Sequence, residues 1–238
     1  MVMKIVLVSE VYLPTVSGVA TSTDSIARFL LSKGHDVTLV CPRYHGRDSE
    51  IIPQGLSMIF APSVPDPFFV GKPMTIFPFG LSAILRLLMR QRFDLIHIQE
   101  PSSLGITALI LSKIFRIPTV GAMHFSLEQV GLMGPRIFYP FTTYMTAMYI
   151  RLVYPFYSGI MVPTETFVST LQKILGVNKN IRAISNGVDT TLFVPVITDE
   201  KNTLKKKWGI PLDKVIFIYI GRLDKDKNRI LLKGIPEG

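Results

Sequence analysis

The chain has 238 residues, 48% of them hydrophobic and 18% charged, which excludes an intrinsically disordered polypeptide and gives room for one large domain or two small ones. Its 26 Lys and Arg against 17 Asp and Glu give a net charge of +9, favouring acidic partners such as nucleotide phosphates or anionic lipid headgroups. Cys41 is the only cysteine, which excludes an internal disulfide and fits a reducing compartment.

Apolar runs alternate with helical patterns from the first residues on. The run from Lys4 to Ser9 reads as a strand. It is too short, and too soon ended by Ser9 and Glu10, for a secretory signal. VATSTDSIARFLLSKG follows as a helix with Ile26, Phe29 and Leu30 on its inner face and Gly34 as its stop. HDVTLVC is a second strand, closing on Cys41 as a buried strand-end residue, and SMIFAP is a third. SVPDPFFVGKP reads as a long loop, and LSAILRLLMRQRF as a helix carrying Arg86, Arg90 and Arg92 among leucines. DLIHI is a strand, and SLGITALILSKIF a helix with Leu104, Ala108, Leu111 and Phe115 at core spacing.

IPTVGAMHF and GIMVP are further strands. Between them, residues 136–159 form an apolar, aromatic segment interrupted by Arg151 and two prolines. It suits a buried or interfacial helix better than a membrane-spanning one. TETFVSTLQKIL is a helix capped by Thr164, with Phe167, Leu171, Ile174 and Leu175 inward, and NIRAIS is the next strand. Beyond Asp189 the chain turns polar around Lys205, Lys206 and Lys207, a connection with a short charged helix, before KVIFIYIG opens a new strand.

Strands alternating with helices of this length imply βαβ units. The expected fold class is α/β, a Rossmann-like parallel sheet with helices on both faces. The expected organisation is a first domain over residues 1–190, a linker over 191–211 and the start of a second Rossmann-like domain over 212–238. In such sheets ligands sit beyond the carboxyl ends of the strands, so candidate residues are sought there.

After the first strand, Ser17 and Gly18 precede a helix. A glycine lets backbone approach a ligand, and the amides of a helix N-terminus attract anions. The single glycine is not a GxGxxG fingerprint, and Gly71-Lys72-Pro73 lacks the full phosphate-loop pattern. His97 lies inside a strand and reads as a packed core residue. His124 directly follows one and is the better functional candidate, and neither has the spacing of a zinc site. Asn186-Gly187 reads as a turn leading toward the second domain. Arg222 and Lys227 follow the last apolar run: a planar fork of donors and a movable point charge suit two oxygens of a diphosphate. Asp224-Lys225-Asp226 has the form D-x-D, but the cations around it argue against a divalent metal.

The stretches YLPTVSGVATS, HIQEPSSLG, IPTVGAMHF, SNGVDTTLF and IYIGRLDKDKN, in this order, resemble the family-4 glycosyltransferases. The resemblance implies the GT-B fold of two facing Rossmann-like domains. It implies transfer of a hexose (mannose, glucose or galactose) from a nucleotide sugar, with retention of configuration, often to a lipid acceptor. It places Ser17 and Gly18 at the donor diphosphate and His124 near the transferred sugar. Arg222 and Lys227 become the cationic pair that stabilises charge on the departing phosphate. These two cations make a metal unnecessary, so no cofactor is expected.

The resemblance also implies a cytoplasmic protein, peripheral on the inner face of a membrane, whose partners are the nucleotide sugar, a lipid or glycan acceptor and an anionic membrane surface. The family's glutamate pair in the second domain has no counterpart here, since Glu237 stands alone. The chain therefore reads as truncated, inactive by itself and prone to self-association through VIFIYI. The alternative is a non-enzymatic docking domain that uses LSAILRLLMRQRF at a membrane or partner. Nucleic-acid binding has only the net charge behind it, and no nucleic-acid partner is expected.

Overall fold

Five of the early apolar runs form the middle of one sheet because they are shielded on both faces, as continuous β-branched and leucine-rich strands require. The computed structural model describes residues 1–43, 52–66, 73–78, 80–127, 130, 136–176, 180–188, 190–191 and 193–216. The strands of the main sheet are β1 (Lys4–Val8), β2 (Asp36–Pro42), β3 (Ser57–Ala61), β6 (Leu95–Ile98), β7 (Thr119–Ala122), β8 (Gly159–Val162) and β9 (Ile181–Ala183). Their order is β3-β2-β1-β6-β7-β8-β9, parallel throughout. The order reverses between β1 and β6, where Leu7 pairs with both Leu39 and His97. This is the switch point at which open parallel sheets form their crevice.

The long proline-rich loop is not wholly irregular. Val64–Pro65 (β4) and Pro73–Met74 (β5) pair as a small antiparallel ribbon, too short to register as alternation in the sequence. The helices of the first unit are α1 (Gly18–Ser32), α2 (Leu81–Arg90), α3 (Ser103–Ile114), α4 (Tyr139–Val153) and α5 (Glu165–Leu175). Ala27 of α1 joins Ile5, Leu7, Val37 and Leu39 in one core cluster. Residues of α2, α3, α4 and α5 join Val6, Val8, Ile96 and Ile98 in the other, on the opposite face of the sheet.

The spacing places Phe29 on the inner face of α1, and the structure overturns this. Phe29 is 60% exposed, with the Lys33 ammonium 5.4 Å from its ring centroid. The buried stripe is Ala20, Thr23 and Ala27, whose small side chains let the helix lie close to the sheet. Ile26 and Leu30 pack at its margin. Leu104, Ala108, Leu111 and Leu171 are buried as their spacing requires. Thr164 caps α5 by accepting from the Phe167 N–H, and Gly34 takes φ +78° just after α1.

Among the described residues no helix is long and apolar enough to cross a membrane; the aromatic segment before β8 folds as α4 between two short 3₁₀ turns. Two glycines are required by close approach. A Cβ on Gly121 would lie 2.7 Å from the Tyr157 ring, and one on Gly105 would lie 2.2 Å from the Glu100 carbonyl oxygen.

The chain divides into two compact units, Met1–Asn186 and Gly187–Gly238. In the second, α6 (Thr198–Lys207) has Asp199 and Glu200 in its first turn and three lysines in its last, the charge order that a helix dipole favours. Lys205 Nζ donates to the carbonyls of Leu212 and Lys214. The expected strand KVIFIYIG lies outside the described residues beyond Ile216.

Candidate active site

Three strands adjacent at the switch point, β1, β6 and β7, deliver polar residues to the same edge of the sheet. Glu10 follows β1, Gln99 and Glu100 follow β6, and His124 follows β7. His124 Nε2 lies 3.1 Å from Gln99 Oε1, so the amide oxygen fixes the tautomer with the proton on Nε2. Burial lowers the His124 pKa, keeping the ring neutral at physiological pH. His97, one turn of the pleat back inside β6, is buried as a core residue. Its desolvation, with a smaller contribution from His124, pushes its pKa down to about 4.

Glu100 is the most perturbed acid at this edge. Its Oε1 accepts from the backbone N–H groups of Glu10 (3.0 Å) and Val11 (3.1 Å). Ser9 Oγ lies 3.2–3.3 Å from both carboxylate oxygens. Ser9 has a single hydroxyl proton, and its shortest contact is to the Val11 carbonyl at 2.7 Å. That hydroxyl also faces the Glu100 carboxylate as a donor, while Ser9 Oγ accepts from the Val11 N–H at 3.3 Å. Burial pushes the Glu100 pKa up to about 8; the charge of Glu10 adds to the rise, while the Ser9 and backbone hydrogen bonds oppose it. Desolvation outweighs these hydrogen bonds and favours a protonated carboxyl near neutral pH.

Glu10 ties together segments far apart in the chain. Its carboxylate accepts from the backbone N–H of Thr75 and, at 3.3 Å, from that of Leu104 in the first turn of α3. The loop before α2 and the N-terminus of α3 are thereby fixed to the end of β1. Neither glutamate is singled out by sequence reasoning, although each directly ends an apolar run, VLVSE and LIHIQE, and that position was the available signal.

Ser17 and Gly18 open α1 at the same edge. Ser17 is the N-cap, its Oγ accepting from the Ala20 N–H at 3.1 Å. A Cβ at Gly18 would meet nothing within 4 Å, and its φ lies outside the left-handed range. The fold itself does not demand glycine there, and the space above the first turn is open. Asn186 returns to α1, its Oδ1 accepting from Ser22 Oγ at 3.0 Å. Beside Glu100 a cavity of about 390 Å³ is lined by Pro101, Ser102, Phe125, Val130, Met145 and Tyr149 among others. Two of these lining residues are joined, the Tyr149 hydroxyl donating to the Pro101 carbonyl.

Arg222 and Lys227, and with them Asp224-Lys225-Asp226, lie outside the described residues. Of the sequence candidates, Ser17, Gly18 and His124 thus share the carboxyl edge of the sheet.

The glycosyltransferase family 4 model matches residues 16–192, about three quarters of the chain. The chain belongs to glycosyltransferase family 4. It is 26% identical over 236 residues to the GDP-mannose-dependent alpha-mannosyltransferase of Corynebacterium glutamicum, covering 98% of this chain and 54% of that protein. To the alpha-monoglucosyldiacylglycerol synthase of Streptococcus pneumoniae it is 27% identical over 232 residues, covering 95% of this chain and 50% of the relative. This family-4 chain spans about half the length of the curated relatives it matches. Among solved structures, Anabaena HepE in complex with UDP and glucose superimposes with a TM-score of 0.56 at 17% identity, covering 87% of this chain and 50% of that one. A glycosyltransferase from Rickettsia africae gives 0.58 at 15% identity, covering 88% and 50%. These likenesses establish the Rossmann-like fold of the GT-B glycosyltransferases.

Proposed function

We propose that this chain provides the acceptor side of a retaining glycosyltransferase that moves a hexose from a nucleotide sugar to a membrane lipid. The observation that carries the reading is the family match across residues 16–192, which takes in the α1 N-terminus and the His124–Gln99 pair. The relatives named above use GDP-mannose or make a glucosylated diacylglycerol, which supports a nucleotide-sugar donor and a lipid acceptor for this chain.

In this reading the Ser17-Gly18 turn faces the donor diphosphate, where helix amides and an open approach suit an anion. The neutral His124 ring, held by Gln99, orients the transferred sugar by hydrogen bonding. Arg222 and Lys227 neutralise the charge that develops on the leaving diphosphate, with no metal or other cofactor. The protein works at the cytoplasmic face of an anionic membrane and does not engage nucleic acid.

The test is sugar transfer by a protein in which this chain is joined to the second half that its relatives possess. GDP-mannose and UDP-glucose serve as donors and diacylglycerol as acceptor. Arg222→Ala and Lys227→Ala should each lower turnover by about a hundredfold, as removal of one transition-state donor does elsewhere. Unchanged turnover in both variants would remove these residues from the mechanism, and no transfer to any lipid by the parent would overturn the acceptor class.

A further inference from the structure

Among the described residues, strand β3 ends the main sheet and pairs on one side only, with β2. Ser57 is exposed, and Met58, Ile59 and Phe60 are only partly buried, whereas every residue of β1 after Lys4 is buried. A groove of about 540 Å³ lies between this edge and α2. Ile59 and Phe60 line it from the strand, and Arg86 and Arg90 from the helix. Successive strand residues point to opposite faces, so a groove that touches both Ile59 and Phe60 opens on the edge itself. Ile59 packs on the core cluster shared with α2, and Phe60 on the one shared with α1. The outward N–H and C=O groups of β3 therefore border the groove. An unpaired edge of this kind is a template for another strand.

The charge at the groove has one sign. Arg86 and Arg90 are both exposed, and among the described residues neither forms an ion pair. Arg43, directly after β2, holds its guanidinium carbon 5.3 Å from the Phe60 ring centroid. No acid is among the described lining residues. Asp94, four residues beyond Arg90, is turned to β1, where it accepts from the Lys4 N–H at 2.7 Å. Asp66 follows β4 and does not line the groove. Glu165 opens α5, which packs on β8 and β9 at the far end of the sheet.

The spacing suits an extended segment. From Ser82 to Gln91, both at the groove, α2 runs about 13 Å, the length of about four extended residues. Arg86 and Arg90 stand about 6 Å apart along the helix axis, and alternate side chains of a strand recur about every 7 Å. A strand laid on the β3 edge would set two carboxylates of one face against two guanidinium groups and turn its other face toward Phe60.

We infer that the groove between β3 and α2 takes an extended acidic segment of a partner protein, which adds a strand to β3 and sets alternate carboxylates against Arg86 and Arg90. A second copy of this chain suits the edge less well, since two such edges would bring arginine against arginine. Sugar transfer plays no part in this docking, so it and the proposed function can fail separately.

The probe is a fluorescent peptide of about eight residues, alternating glutamate and valine, titrated against the 238-residue chain by anisotropy at low salt. Saturable binding is expected at or below about 1 mM. Hydrogen exchange over residues 57–61 should slow in the complex, because the edge becomes a paired strand. Arg86→Gln with Arg90→Gln should weaken binding about tenfold and flatten its salt dependence, as the loss of two exposed ion pairs allows. N-methylation at the glutamates in one peptide, and at the valines in another, keeps every charge but removes the donors from one edge. One of the two should bind about tenfold more weakly than the parent peptide. Lys113→Gln, which removes an α3 cation outside the groove, should leave binding unchanged. Circular dichroism establishes that each variant is folded.

Any of four results would overturn the inference. These are no saturable binding up to about 1 mM, undiminished binding by the arginine double variant, full-strength binding by both methylated peptides, and a peptide-free dimer that already protects residues 57–61. The third would leave charge attraction alone, and the fourth would assign the edge to a second copy.

Discussion

Replacing Glu100 by Gln isolates the electrostatic condition of the sheet edge. With its pKa raised from about 4.5 to about 8, the folded chain holds a proton that the unfolded chain releases. Stability from this group is therefore complete below about pH 4.5 and is lost as pH rises through the folded value near 8. At about 1.4 kcal/mol per pH unit the ceiling is near 5 kcal/mol. Glu100 keeps a partly exposed edge, and the N–H groups of Glu10 and Val11 also solvate the charged form, so roughly 2–4 kcal/mol is the better expectation. Glutamine mimics the protonated acid: its oxygen can accept the two backbone N–H groups and its amide can donate to Ser9 Oγ.

Urea denaturation of parent and Glu100→Gln should accordingly give similar stability at pH 5 and a more stable variant at pH 8. The difference between the two curves is the quantity to read, because His97 tilts both in the opposite sense. Curves that stay parallel from pH 5 to beyond pH 8 would refute the reasoning. That result would mean the carboxylate is ionised throughout, its charge held by the Glu10 and Val11 N–H groups and the Ser9 hydroxyl.

Other outcomes follow from the packing. Gly105→Ala would drive a methyl into the Glu100 carbonyl at 2.2 Å and should cost about 3 kcal/mol or more, read as a lowered urea midpoint. Leu171→Ala, at a fully buried site between α5 and the sheet, should cost about 2–5 kcal/mol with the denaturant slope unchanged. His97 is neutral when folded and depressed to about 4, so its contribution to stability falls as pH drops from about 6.5 toward 4. His97→Gln should flatten that acid limb, and an unaltered limb would place the proton elsewhere.

The order of strands and helices was legible because the middle strands of the main sheet are covered on both faces and so appear as unbroken apolar runs. Strand-end position likewise pointed to His124, and its ring is held there by Gln99. Phe29 was misread because hydrophobicity does not reveal distance from the sheet: α1 packs closely through Ala20, Thr23 and Ala27, and the larger ring is turned outward. The roles of Glu10 and Glu100 were hidden because their partners are remote. Glu10 bonds to residues 65 and 94 positions away, and no local pattern encodes such contacts. The aromatic composition of α4 suggested a buried or interfacial helix. Only the packing of Ile150 and Val153 decides which of its sides is left bare.

The protonated state of Glu100 has a consequence for anion binding at this edge. Two ionised carboxylates, Glu10 and Glu100, would repel a diphosphate approaching the first turn of α1. A neutral Glu100 leaves one negative charge there, and that charge is engaged by the N–H groups of Thr75 and Leu104. The same carboxyl also spans Ser9, Glu10 and Val11, so it rigidifies the chain that leads from β1 to the Ser17 cap. Burial of Glu100 thus lowers the charge at this edge, because desolvation favours the protonated form over the hydrogen bonds that would hold a carboxylate. On the proposed function, donor binding should therefore weaken as pH rises through about 8 in the parent and not in Glu100→Gln, where position 100 carries no charge at any pH.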